Sequence, residues 1–206
     1  LRGGGSYGGV YNYGDLTVES CEILDSPGAG VWNDGLGQAT IRTTTLGGNA
    51  YGLLNDGGPV SISQSLIRDS SYGVYSYGNS SATITIENST LTANQSTAIL
   101  SDSQAEIALV STTVAGNAGQ GLWDYYGYGV FDLQSSIVAG NAGGDCYNSA
   151  AVGASSYSVV GDSSCGLSGV GDLNGTDPLL LPLGSNGGPT QTLALDTGSP
   201  ALDAIP

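Results

Sequence analysis

Short apolar stretches recur along the chain, and glycine-rich segments separate them. Residues 17–26 read TVESCEILDS, and the same order of apolar and polar positions returns at residues 40–49, 61–70, 85–94, 108–117 and 132–141. The apolar anchors of these copies are separated by 23, 21, 24, 23 and 24 positions, and they are Val18, Ile41, Ile62, Ile86, Leu109 and Leu133. β-Branched residues at a nearly fixed period, without helical spacing, predict a β-solenoid.

A second block of four residues precedes each copy: GVYN (9–12), GVWN (30–33), GLLN (52–55), GVYS (73–76), AILS (98–101) and GLWD (121–124). Side chains of a strand alternate between its two faces, so alternate positions of both blocks point inward. Stacking places equivalent residues of successive coils about 4.8 Å apart. We therefore predict an all-β fold, a right-handed parallel β-helix of about six coils with 21–25 residues each, followed by a C-terminal cap.

The last position of each copy carries a small polar residue. It is serine in two coils and asparagine in the other four: Asn49, Asn94, Asn117 and Asn141. A stacked amide can donate a hydrogen bond to one neighbour and accept one from the other, so we predict a ladder that fixes the register of the coils. A second stack of small residues begins at Cys21, which predicts a buried thiol at that position.

The charge of the chain restricts its partners. Acidic residues number 18 against three basic ones, with no Lys and no His, so the net charge is −15. Nucleic acid and anionic membrane surfaces are excluded, because both require Lys and Arg against phosphate. No apolar run reaches the roughly 18 residues that span a bilayer, so direct membrane insertion is not expected. Calcium, neutral glycans and other copies of the chain remain.

The end of the chain carries four motifs: IVAGNAGGDC (137–146), YSVVGDSSCG (157–166), DPLLLPLGSNGGPTQT (177–192) and GSPALD (198–203). They resemble the choice-of-anchor Q domain, whose last motif reads GSPAID. The coils resemble the Gly- and Asn-rich right-handed parallel β-helix repeats of bacterial and archaeal surface proteins. This resemblance implies an extracellular or cell-surface protein, with β-helix repeats over residues 1–144 and a C-terminal cap, continuous with the solenoid, over residues 145–206.

Two cysteines lie in this cap. Cys146 and Cys165 bracket an 18-residue loop rich in Gly and Ser. In an exported protein this arrangement predicts a disulfide, which stabilises the fold by roughly 3 kcal/mol in the loop-entropy model. Two free thiols in a reducing compartment are the alternative.

Candidate chemistry concentrates at two Asn-Asp-Gly turns. Asp34 and Asp56 occupy equivalent positions of adjacent coils and could form the carboxylate pair of a glycoside hydrolase. Turn formation explains them more simply, because Asn and Asp bond to local backbone and Gly adopts positive φ. We therefore assign no catalytic residue. Together with Asn33 and Asn55, the two aspartates are also candidate calcium ligands, since calcium prefers oxygen donors from loops. No other cofactor is expected.

One position of the four-residue block is aromatic in four coils: Tyr11, Trp32, Tyr75 and Trp123. Leu54 and Leu100 take this position in the other two coils. Because the residues before them are inward positions, alternation predicts that this strip faces outward. Such a strip can stack against sugar rings or be covered by another subunit. Burial under the cap or a loop is the alternative.

These observations predict a non-catalytic extracellular structural protein, a surface or filament-forming subunit that assembles through its coil ends and the aromatic strip. An adhesin or glycan-binding module that uses the same strip is the first alternative. A polysaccharide-active hydrolase or lyase is the second, although a lyase needs a basic cluster that Arg2, Arg42 and Arg68 do not form in the sequence.

Overall fold

Three strands in each repeat pair with their counterparts in the neighbouring repeats and build three parallel sheets of seven strands. The computed structural model describes residues 1–5, 7–78, 82–148 and 152–204. These parts of the chain contain no α-helix. They therefore contain no helix that is long and apolar enough to cross a membrane. The predicted parallel β-helix is confirmed.

The first sheet consists of Gly8–Asn12, Ala29–Asp34, Tyr51–Asp56, Tyr72–Tyr77, Ile99–Asp102, Leu122–Asp124 and Cys146–Asn148. The second consists of Asp15–Glu19, Gln38–Arg42, Val60–Ser63, Thr83–Glu87, Glu106–Val110, Val130–Gln134 and Val152–Ser156. The third consists of Glu22–Leu24, Thr45–Gly47, Leu66–Arg68, Thr90–Thr92, Thr113–Ala115, Ile137–Ala139 and Val159–Val160. The stacking thus continues through one rung beyond the six repeats recognised in the sequence.

The apolar anchors of successive rungs lie directly opposite each other in the second sheet. Ile41 pairs with Ile62, and Ile62 pairs with Ile86. Leu109 and Leu133 continue the same stack. All of these side chains are at most 1 % exposed. Since burial of one such side chain contributes about 1.5–3 kcal/mol, this axial stack is a main source of the stability of the solenoid.

A ladder of buried amides runs beside the third sheet. Asn94 Nδ2 donates to Asn117 Oδ1 at 2.8 Å, and Asn117 Nδ2 donates to Asn141 Oδ1 at 2.8 Å. Asn117 Nδ2 also lies 3.2 Å from the carbonyl oxygen of Leu91 in the preceding rung. At the end of the ladder, Asn141 Nδ2 donates to Asp145 Oδ1 at 2.9 Å. Each amide therefore bonds to the rungs on both sides of it.

Each coil turns from the second to the third sheet at a residue in the left-handed region. Thr43 has φ of 48°, and Ser111 occupies the same position with φ of 48°. The hydroxyl residue that follows closes the corner: Thr44 Oγ1 donates to the Arg42 carbonyl at 2.8 Å and accepts the backbone N–H of Cys21 at 3.3 Å. The small hydroxyl residues of the repeat are thus needed to bond backbone groups that the turn leaves unpaired.

The expectation of a buried thiol at Cys21 is wrong, because this side chain is exposed. Cys21 occupies the corner position in the first rung, where no described residue covers it from the outer side. It lines an open cleft of about 460 Å³ together with Leu1, Val10, Leu16 and Val18. The same position is buried in the later rungs, as at Thr44 and Thr112.

The segment after Val160 folds over the last rung. Val160 N–H donates to the Leu173 carbonyl at 2.8 Å, and Leu167 joins the buried core. A disulfide links Cys146 to Cys165, with the two Cα atoms 5.0 Å apart. The chain ends in an antiparallel hairpin formed by Leu180–Gly184 and Thr192–Leu195.

We predict that Asn117→Ala lowers the free energy of unfolding by about 3 kcal/mol, because the buried backbone N–H of Asn94 loses its acceptor and Asn94 Nδ2 loses one of its two. Urea denaturation followed by far-ultraviolet circular dichroism measures the change. Gln95→Ala is the matched control, since it removes an exposed amide next to the ladder and should change stability by less than about 0.5 kcal/mol. Equal losses in the two variants would contradict a structural role of the ladder.

Candidate functional site

The outer surface of the first sheet carries a column of large side chains, one from each rung. The strand register places its members opposite one another in the order Tyr11, Trp32, Leu54, Tyr75, Leu100, Trp123 and Tyr147. The preceding residues point into the core, and Val31, Leu53 and Leu122 are fully buried. We call this set the aromatic column. Tyr11 and Tyr147 are exposed, whereas Trp32, Tyr75 and Trp123 are half-buried by their neighbours.

Tyr147 is the member that the sequence pattern missed. Residues 145–148 read DCYN, which has the form of GLWD at residues 121–124. The sequence therefore contains the signal for a seventh rung, although the predicted cap begins at residue 145. Leu54 and Leu100 are 9 % and 7 % exposed, and they divide the column into three groups of rings.

Further tyrosines enlarge each group of rings. Near the first rung, the Tyr7 and Trp32 ring centroids are 6.0 Å apart. In the middle, Tyr51 stacks on Tyr72 and on Tyr75, with centroids 5.6 Å apart in both pairs. The third group comprises Trp123, Tyr125, Tyr126, Tyr128 and Tyr147. Most of the aromatic residues of the chain thus lie on one side of the solenoid.

A second outward column lies two residues further along the same strands and contains carboxylates. Asp34 is directly opposite Asp56, and Tyr77 is directly opposite Asp102. Tyr11 Oη donates a hydrogen bond to Asp34 Oδ2. Tyr75 Oη donates to Asp102 Oδ2 at 3.0 Å. The hydroxyl groups of the aromatic column therefore point toward the carboxylates, and we call the two columns together the aromatic face.

Burial and neighbouring groups raise the pKa of several side chains on the aromatic face. Partial burial raises the pKa of Asp56, and the charge and hydrogen bond of Asp34 raise it further, against a hydrogen bond from Tyr77 that lowers it. The hydrogen bond to Asp34 is the main cause that raises the pKa of Tyr11 to about 12. Burial and then Asp102 raise the pKa of Tyr75 as well. The tyrosines accordingly remain neutral hydrogen-bond donors at physiological pH.

The four candidate calcium ligands do not converge on one point. Asn33 and Asn55 are fully buried, whereas Asp34 and Asp56 lie on the outer surface. The buried amides form an inner ladder, in which Asn12 Nδ2 donates to Asn33 Oδ1 at 2.6 Å and Asn33 Nδ2 donates to Asn55 Oδ1 at 2.8 Å. Their oxygens therefore already accept hydrogen bonds inside the coil. Within the described ranges, no group of three or more His, Cys, Asp or Glu residues is placed to hold a metal ion.

A shallow cleft of about 440 Å³ adjoins the aromatic face at the loop of the sixth rung. Asp102, Gln104, Tyr126 and Tyr128 are among its lining residues. Asp124 holds this loop by accepting the Gly129 N–H at 2.9 Å. The cleft thus connects the exposed tyrosines of the third group with the carboxylate of Asp102.

All three basic residues lie away from the aromatic face and have acidic partners. Arg42 contacts Glu19 at 2.9 Å on the second sheet. Arg68, in the third sheet, contacts Asp69. Arg2 lies 3.4 Å from Asp25. Because the chain contains no Lys and no His, the carboxylates of the aromatic face have only neutral side-chain donors around them.

Residues 5–167 match the model of a protein family described as periplasmic copper-binding protein (NosD). No curated protein and no solved structure is significantly similar to the chain. The match covers the first six rungs and extends through the seventh to the start of the cap. The resemblance of residues 137–203 to the choice-of-anchor Q domain stays a prediction.

We predict that Asp56→Asn raises the melting temperature at pH 7. The folded pKa of Asp56 lies above its usual value, so the stability that its protonated form contributes is present at low pH and lost as the pH rises through the folded pKa. Asn imitates the protonated form, and the gain should therefore vanish below about pH 4. Thermal unfolding from pH 3 to pH 8 measures it. The control is Glu106→Gln, on the exposed side of the second sheet, which should not raise the melting temperature in this way. An equal rise in both variants would contradict an effect of the contact between Asp34 and Asp56.

Proposed function

Since the chain belongs to the NosD family, whose description is periplasmic, we propose that it acts outside the cytoplasm as a non-catalytic binding module. Its ligand is an extended polysaccharide that lies along the aromatic face. The observation that carries this proposal is the in-register column from Tyr11 to Tyr147, which places one large outward side chain on every rung.

Copper, which the family description names, does not fit the donor set of this chain. Cu(I) prefers thiolate and thioether ligands, and imidazole suits Cu(II). The chain has no His, no Met and three Cys, and two of the cysteines are joined in the Cys146–Cys165 disulfide. Cys21 remains as a single thiol, which is not a copper site by itself. We therefore derive no role for copper, and the separation of Asn33 and Asn55 from the aspartates argues equally against calcium there.

The aromatic face has the chemistry that sugars require. Aromatic rings present flat apolar surfaces with polar edges, and they bury large areas on contact. Exposed rings cluster at both ends of the column, at Tyr7 and Tyr11 and again at Tyr125, Tyr126, Tyr128 and Tyr147, and clusters of exposed aromatic side chains mark binding surfaces. The carboxylates of Asp34 and Asp102 lie beside the rings and can accept hydrogen bonds from sugar hydroxyls. Because rungs repeat at about 4.8 Å, which is close to the length of one pyranose unit, a linear polymer meets equivalent contacts repeatedly.

The carboxylate pair supports binding rather than hydrolysis. A glycoside hydrolase holds its two carboxyl groups at least about 5 Å apart, so that the scissile bond fits between them. Asp34 and Asp56 are instead direct partners in adjacent strands of one sheet, so they lie side by side on the same surface and not on opposite sides of a cleft. A lyase-type base is also missing from this face, because each arginine is engaged with an acidic partner on another side of the molecule.

Assembly into filaments through the coil ends is a second candidate, favoured by the open cleft in the first rung. Apolar atoms of Leu1, Val10, Leu16 and Val18 line this cleft. It can accept a further rung or the end of another copy, and a head-to-tail contact that does not close produces filaments. Negative-stain electron microscopy of the purified chain should show filaments if this candidate is correct, and uniformly single rods at high protein concentration would overturn it.

We predict that Trp32→Ala and Trp123→Ala each weaken polysaccharide binding at least about tenfold, because each removes a ring from the column. Retention on a panel of immobilised cellulose, xylan, chitin and deacetylated chitin identifies the ligand, and titration with its soluble oligomer gives the affinities. Val170→Ala is the control, since it truncates a side chain of the cap that is 72 % exposed. Undiminished binding by a folded Trp32→Ala, Trp123→Ala double variant would contradict the proposal.

A further inference from the structure

The aromatic face concentrates negative charge beside its rings. Asp34, Asp56 and Asp102 all point outward from the first sheet, in the second, third and fifth rungs. Their side-chain donors are tyrosine hydroxyls, as in the bonds from Tyr11 to Asp34 and from Tyr75 to Asp102. One hydroxyl group occupies only part of the hydrogen-bonding capacity of a carboxylate and leaves its charge in place.

Two of these carboxylates are held together at an electrostatic cost. Asp34 and Asp56 are direct partners in the register of adjacent strands, and like charges in directly opposed positions repel each other. The parallel backbone pairing on both sides holds them there, because neighbouring rungs cannot shift independently. A positively charged group placed between or above the two carboxylates would remove this repulsion.

Rings surround the same carboxylates and also favour a cation. The Tyr77 ring centroid lies 5.7 Å from that of Tyr75, and the pairing of Ser76 with Asn55 places Tyr77 in the rung next to Asp56. The Trp32 ring occupies the neighbouring rung of the same face. An ammonium group is attracted to the face of an aromatic ring as well as to a carboxylate, so both columns select the same charge. Anionic sugars would instead be repelled by these aspartates and by a net charge of −15.

We infer that the aromatic face binds a cationic, amine-bearing polysaccharide, a linear glucosamine-type polymer whose free amino groups are protonated. Its pyranose rings lie on the aromatic column while its ammonium groups reach Asp34, Asp56 and Asp102. The inference rests on the proposed polysaccharide binding and specifies the class of polysaccharide. Charge complementarity between an acidic, aromatic surface and a polymer with a regular series of amines is the observation that selects this ligand.

The test compares two glucosamine oligomers of equal length, one fully N-acetylated and one fully deacetylated, by isothermal titration at a pH at which the amines are protonated. We expect the deacetylated oligomer to bind at least about tenfold more tightly, with an affinity that falls as salt is added. The Asp34→Asn, Asp56→Asn double variant should lose most of this preference. Trp32→Ala should weaken binding of both oligomers, because the ring contact does not depend on the amine.

A charge-matched control separates recognition from general attraction between a polyanion and a polycation. Glu87→Gln with Glu106→Gln removes the same number of charges from exposed positions of the second sheet, and it should leave the preference unchanged. An equal loss in this control would overturn the inference. Equal or tighter binding of the acetylated oligomer, still dependent on Trp32, would overturn the inference and leave polysaccharide binding intact. Failure to retain any polysaccharide would overturn both.

Discussion

In-register pairing of each rung with the next is the constraint on which the rest of the structure depends. Backbone hydrogen bonds between parallel strands hold equivalent residues about 4.8 Å apart. The nearest neighbours of each side chain are therefore the equivalent side chains of the preceding and following rungs. Like residues therefore stack on like: Ile41 on Ile62 in the core and Asn117 on Asn141 in the ladder. The buried amides make this pairing specific, because an amide without a partner in the next rung would be buried and unsatisfied. Asp145 serves as the last acceptor where the ladder ends.

The same constraint builds the aromatic face, the surface on which we propose that the ligand binds. Because equivalent residues of successive rungs stack, the aromatic position of the four-residue block recurs on one side of the solenoid. Its repetition builds the aromatic column. Stacking also has an unfavourable consequence. The pairing of Ala29–Asp34 with Tyr51–Asp56 places the carboxylates of Asp34 and Asp56 next to each other. Partial burial, and after it the charge of Asp34, raises the pKa of Asp56. A surface that combines stacked rings with uncompensated carboxylates has both an apolar and an electrostatic reason to bind a ligand.

Membership of the NosD family fixes the architecture of the chain more firmly than its ligand. A parallel β-helix hosts different functions on the same scaffold, and the chemistry must be argued from the side chains present. Here those side chains are Trp, Tyr and Asp, in a chain that contains neither His nor Met. This set lacks the imidazole and thioether groups that bind copper. The sugar polymer with amino groups that we propose complements both the aromatic column and the carboxylates. The filament candidate uses a different part of the molecule, the open end of the first rung, and depends on none of these contacts.

The sequence by itself determined the parts of the protein that follow from its period. The solenoid, its core anchors and the position of Asn49, Asn94, Asn117 and Asn141 were readable because one repeat predicts its neighbours. Tertiary structure decided what happens where the repeat meets an end or a turn. Cys21 is exposed at the corner of the first rung, and Cys146–Asn148 continues the first sheet although the motifs around it resemble a cap. The Asn-Asp-Gly pattern predicts that Asn33 and Asn55 lie with Asp34 and Asp56 in surface turns. Strand alternation instead continues through these residues, so the amides point inward and the carboxylates outward. The direction of a side chain depends on whether its residue belongs to the strand or to the turn. Backbone pairing with the neighbouring rungs sets the boundary between the two, and that pairing exists only in the folded protein.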